Sequence, residues 1–142
     1  MQQISFTKNQ QGNLRGLGVM AVYLFGSRAD GLENELSDYD FAFLMADSSL
    51  VKPGKDVLPL YQKLYEFLDP LCPRSSKNDV IDIIFLQSGV SMELQANVVM
   101  HGKLLFDDVP QQRADYESQV MMRAADLEPI IKTMDQIIIN RI

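Results

Sequence analysis

Three apolar runs, each closed or opened by a polar turn, constrain this chain more than anything else in it. Met20 to Phe25 is a continuous run of strand formers stopped by Gly26, and it reads as a buried strand. Tyr39 to Ala46 is a second strand, and Val80 to Leu86 is a third and the strongest β signal in the chain. Helical spacing fills the gaps. Val57 to Leu68 places Leu60, Leu64, Phe67 and Leu68 on one side, with Pro59 tolerated in the first turn. Ser91 caps a helix carrying Leu94, Val98 and His101 on one face, and Gly102 ends it. An opening helix from about Ser5 to Leu17 is weakened by Gly12 and Gly16, Asp69 to Asn78 is a loop, and Leu104 to Phe106 is a short strand. The remainder reads as two helices, Gln111 to Ala125 and a final one whose start is marked by Asp126 and Pro129. Strands alternating with helices predict an α/β fold, a mixed β-sheet flanked by helices.

At 142 residues and 46% apolar content the chain has room for one domain with a real core, here expected to be residues 1–142 with a centre at about 20–107 and C-terminal helices at about 111–142. No run approaches a membrane span, and Met1-Gln2-Gln3-Ile4-Ser5 lacks the build of a signal peptide, so a cytoplasmic location is expected. Cys72 is the sole cysteine, which excludes an internal disulfide and a cysteine metal cluster. A net charge of −6 argues against broad contact with nucleic acid and suits metal ions or a basic protein partner.

The chemistry lies in the turns. Gly26-Ser27 ends the first strand, and Asp38-Tyr39-Asp40 opens the second. Glycine lets backbone approach phosphate oxygens that a side chain would block, and Ser27 adds a hydroxyl and an amide. In a strand, residues i and i+2 share a face, so Asp38 and Asp40 project together while Tyr39 and Phe41 turn to the core. Such a carboxylate pair suits a divalent ion, and hard oxygen donors favour magnesium or manganese over zinc. Asp82, inside the third apolar run, is the candidate third ligand. A charge in a buried strand is costly unless it binds metal or pairs with a buried Arg or Lys. A Gly-Ser pair and an Asp-x-Asp pair are each weak signals; their conjunction with a later strand Asp is specific.

That conjunction resembles the minimal nucleotidyltransferases (MNT proteins) of the polymerase-β superfamily, whose motif is Gly-Ser, ten residues, Asp-x-Asp. Val80-Ile81-Asp82-Ile83-Ile84 resembles the family's third-Asp strand, and Glu93-Leu94 through His101-Gly102-Lys103-Leu104-Leu105-Phe106 its helix and Gly-basic-Leu-Leu-aromatic turn. The similarity runs from Met20 to Asp107. It implies an antitoxin encoded beside a HEPN ribonuclease toxin, transferring AMP from ATP to a toxin tyrosine with release of pyrophosphate. Gly26, Ser27 and Arg28 would hold the triphosphate, and Asp38, Asp40 and Asp82 would bind two Mg2+ ions as the catalytic triad, with Asp82 as a candidate base. The chain departs from the family where Asp30 replaces a frequent Arg; Arg28 is kept, and an ion pair with Asp30 or Glu33 is its alternative role. Phe85 replaces a frequent second acid on the third strand. Two other readings are a binding-only antitoxin and a nucleotidyltransferase for a small molecule such as an aminoglycoside; the absence of a separate acceptor domain counts against the latter.

Other residues point more weakly. His101 suits a cap or packing role, Cys72 an ordinary small residue, and Lys52, Lys55, Arg74 and Lys77 solvated loop positions. Leu127, Ile130, Ile131, Met134, Ile137 and Ile138 form an apolar stripe. Part of it is expected to cover the domain's own sheet, and part, with Met121 and Met122, to receive a helix of another protein.

Overall fold

The computed structural model describes residues 4–26, 39–73 and 81–140, except for the side chains of 130–131, 133–135 and 137–140. Its centre is a four-stranded sheet in the order β3-β2-β1-β4. Strands β1 (Val19–Phe25) and β2 (Tyr39–Met45) are antiparallel, β4 (Lys103–Asp107) adds antiparallel to the other side of β1, and β3 (Ile81–Phe85) adds parallel to β2. The expected mixed sheet is present. The two inner strands are buried almost throughout, which is why both read as near-continuous apolar runs.

Helices cover both faces. Leu14 of α1 (Lys8–Gly16) and Leu64 and Leu68 of α2 (Leu58–Leu68) pack on Val22, Leu24, Phe41 and Phe43. On the opposite face, Leu94 and Val98 of α3 (Met92–His101) and Tyr116 of α4 (Pro110–Asn140) meet Tyr23, Ala42 and Leu44. Met20 and Ala21 both belong to this second face because the β1–β2 register shifts between Val19 and Ala21, a bulge that turns two neighbours the same way.

Local chemistry sets most boundaries. Helix α1 begins at Lys8 because Thr7 and Gln10 form a capping box, in which the Gln10 N–H donates to Thr7 Oγ1 (3.2 Å) and the Thr7 N–H donates to Gln10 Oε1 (2.8 Å). Ser91 caps α3 as expected, accepting from the Leu94 N–H at 3.2 Å. Part of the expected loop after α2 is a 3-10 turn, Asp69–Leu71; residues 74–80 lie outside the described set.

Gly102 ends α3 as expected, with φ −69°; a Cβ there would run into the Val98 carbonyl and touch Tyr23, so glycine is needed for close approach. One expectation needs correction. The two predicted C-terminal helices are one, because α4 continues through Pro129. The hydrogen bond that Pro129 cannot donate would have gone to Ala125, and both residues are exposed, so the loss falls on the solvent side, where it costs least. Leu127, at the start of the apolar stripe, is 37% exposed, and none of residues 121–129 is buried. The rest of the apolar stripe, Ile130 to Ile138, has side chains outside the described set.

The first half of α4 is pinned by polar ties. The buried Tyr23 hydroxyl donates to Glu117 Oε2 at 2.7 Å, and Arg113 bridges Glu117 and Asp107 at 2.9 Å each. Tyr116 donates to Gln95 Oε1 of α3 at 2.8 Å. The phenol of Tyr23 is held far above its ordinary value, first by burial and then by its bond to Glu117; burial likewise pushes Tyr116 up to about 12.

Candidate active site

Three of the sequence-predicted site residues, Gly26, Asp40 and Asp82, lie at one end of the sheet. Gly26 follows the last residue of β1, and Asp40 is the second residue of β2, opposite Phe25. Asp82 is the second residue of β3 and the direct register partner of Asp40. Facing residues on neighbouring strands sit about 5 Å apart on the same face. Asp40 and Asp82 therefore stand side by side, on the face covered elsewhere by α3 and α4. Tyr39 and Phe41 turn into the opposite core layer, as the parity of the strand requires. Ser27, Arg28, Asp30 and Asp38 lie outside the described residues.

The burial argument for Asp82 does not hold. Its side chain is exposed, because β3 is an edge strand and the covering layer is passed by this point. Register, not desolvation, brings it to the site. The alternative pairing with a buried base is not formed by any described residue. Its charge still reaches α2: burial first, and Asp82 second, push the Tyr61 phenol upward.

Gly26 has a role beyond phosphate approach. Its φ is +77°, a conformation that favours glycine, and a Cβ built there would lie 2.6 Å from Asp40 Oδ2. The turn that ends β1 thus rests directly on the carboxylate that opens β2. This contact is not visible in the sequence, where the two residues are fourteen positions apart; only the β1–β2 pairing creates it. A second missed tie is Tyr39, whose hydroxyl donates to the Pro73 carbonyl at 2.7 Å and so fastens the chain leading into β3 to the strand bearing Asp40.

The donors fit a divalent cation. Two unit charges about 5 Å apart repel by about 1 kcal/mol in water and about 3 kcal/mol in a partly buried setting. Hard oxygen donors on a rigid sheet, next to a turn of close backbone approach, suit magnesium and a phosphate. Among the described residues no group of three His, Cys, Asp or Glu side chains is assembled.

This sheet with its paired acids defines a class, and a family model makes the same assignment: the polymerase beta nucleotidyltransferase model matches residues 6–111. The chain belongs to the polymerase-β nucleotidyltransferase family. Among solved structures it resembles a chain of a toxin–antitoxin with AMP-PNP, at TM-score 0.67 and 24% identity, over 94% of this chain and 99% of that one. The MntA–HepT toxin–antitoxin matches at TM-score 0.59 and 21% identity, over 94% and 99%. A complex of a tri-AMPylated Shewanella oneidensis HEPN toxin with an MNT antitoxin matches at TM-score 0.59 and 21% identity, over 93% and 98%. No protein among curated sequences matches the chain significantly.

Proposed function

We propose that this chain is the antitoxin of a toxin–antitoxin pair and acts as a protein adenylyltransferase, moving AMP from ATP to a tyrosine of a HEPN ribonuclease toxin. The observation that carries this reading is the placement of Asp40 and Asp82 as register partners beside Gly26, in a chain of the nucleotidyltransferase family. Structures similar over almost the whole chain hold an ATP analogue in one case and an AMP-bearing HEPN toxin in another, which supports the nucleotide and the acceptor. A need for ATP fits a cytoplasmic site of action. No described helix is long and apolar enough to cross a membrane.

In this mechanism Gly26 and Ser27 cradle the triphosphate through backbone amides, with Arg28 alongside. Asp38, Asp40 and Asp82 would hold two Mg2+ ions, which would supply charge neutralisation for the transferring phosphate. Asp82, on the edge strand and exposed, is open to an incoming protein and takes the proton of the tyrosine hydroxyl. That oxygen forms the new bond to the α-phosphorus, the bond from the α-phosphorus to the bridging oxygen breaks, and pyrophosphate departs. The exposed part of α4, with Met121, Met122 and Leu127, is the surface we assign to the partner.

The test is direct. The chain, ATP, magnesium and the toxin encoded beside it are incubated, and intact masses are taken. The expected result is a toxin heavier by whole AMP units, located on tyrosine. A folded toxin that is neutralised at unchanged mass would establish the binding-only antitoxin instead.

A further inference from the structure

The site end of the sheet carries one more charged residue that the mechanism above does not use. Across the strands, the ends fall in the order Asp82 on β3, Asp40 on β2, Gly26 after β1, and Lys103 on β4. Lys103 is the first residue of β4 and the register partner of Leu24, two positions from Gly26. The two acids thus lie on one side of the Gly26 turn and a base lies on the other. Lys103 shares the Leu24 side of the sheet and Asp40 the Phe25 side, so the two charges approach that end from opposite faces.

Its placement is fixed locally. Gly102, immediately before it, is packed so closely against the Val98 carbonyl and Tyr23 that a Cβ does not fit, and this clamps the α3–β4 turn against β1. The Lys103 side chain itself is exposed, and no described residue forms an ion pair or hydrogen bond with it. Several of the described bases elsewhere are paired or remote. Arg15, Arg113 and Lys132 are in ion pairs, Lys52 and Lys55 follow β2 at the opposite end, and Lys63 lines a cleft between α1 and α2. In the sequence, the turn after Gly26 carries Asp30 at a position where a second base would help hold a triphosphate.

We propose that Lys103 contacts the β- and γ-phosphates of the bound nucleotide and holds the departing pyrophosphate, supplying positive charge from the sheet edge beside the Gly26 turn. A lysine on a flexible stem suits this task, since a mobile leaving group needs a point charge more than a fixed fork. This proposal rests on the nucleotidyl-transfer reading.

The experiment compares the full-length wild type with Lys103→Gln and Lys103→Arg, using three probes: a non-hydrolysable ATP analogue, pyrophosphate and AMP, each with magnesium, by calorimetry. Lys103→Gln is expected to weaken the ATP analogue and pyrophosphate about fivefold, the loss of one solvent-exposed charge contact, while AMP binding stays within about twofold. Lys103→Arg is expected to stay near wild type. Unchanged affinity for the analogue and pyrophosphate, an equal loss for AMP, or failure of Arg to rescue would each overturn the assignment. Because binding is read without an acceptor, the result stands apart from the toxin-modification assay, and either can fail alone.

Discussion

The two ends of the sheet are built on opposite plans. At the far end the backbone is closed: the Ala46 N–H donates to the Gly18 carbonyl at 2.9 Å, and the Gln87 side chain pairs with both the N–H and the carbonyl of Met45 at 2.9 Å, acting as one more rung of the β3 ladder. Met45 and Leu44 are fully buried there. At the near end two carboxylates stand together with a glycine turn lying on one of them. The same strands are therefore an anchor at one end and a charged platform at the other. The contrast teaches that the stability of this domain and its chemistry can be perturbed separately, because the locking bonds and the charged residues sit at opposite ends of the same strands.

The largest break in that contrast comes from Asp40→Asn. Removing the carboxylate that faces Asp82 and touches Gly26 should lower AMP transfer, read by intact mass, by about a thousandfold or more, as expected when a metal-holding acid is lost. Gly26→Ala is next, and it mixes the two properties: the added Cβ meets Asp40 Oδ2 in a backbone conformation with φ +77°, so about 1–3 kcal/mol of stability should go together with most of the transfer rate. Gln87→Ala is the converse. It leaves the backbone groups of Met45 unpaired in a buried setting, and about 1–3 kcal/mol should be lost in urea melts while transfer per folded molecule is unchanged.

The smallest effect is alkaline. Tyr23 and Tyr116 keep their protons in the folded state beyond the ordinary phenol value of 10.0, Tyr116 up to about 12, with burial the main cause in each. Above pH 10 the unfolded chain thus binds fewer protons than the folded one. Their contribution is full below pH 10 and falls as pH rises from there toward about 12. Urea midpoints taken at about pH 9 and about pH 11 should show the decline, and Tyr116→Phe should make it shallower.

Much of this molecule was legible in order along the chain. The apolar runs located β1, β2 and β3, and Pro59 and Ser91 marked the starts of two helices, because strand burial and helix capping are local properties. Of the candidate site residues, Gly26, Asp40 and Asp82 were legible as residue types and spacing, and strand pairing puts them at one end of the sheet. The reasons were less visible. Asp82 was inferred from the cost of burying a charge, yet it is exposed; a sequence shows an apolar run but not that the strand lies at a sheet edge. The Gly26–Asp40 contact and the Lys103 position depend on which strands pair, and pairing is a long-range property. Pro129 misled in the opposite sense. Proline breaks a helix only where the lost hydrogen bond cannot be taken up by water, and on an exposed flank it can.

That unbroken helix has a consequence for the size of the particle in solution. Thirty-one helical residues span about 46 Å, whereas a compact domain of 142 residues, with a radius of gyration of about 14–15 Å, is about 37 Å across. Helix α4 alone exceeds that diameter. A small-angle scattering profile of the chain alone should therefore hold distances of about 46 Å that a sphere of its mass lacks.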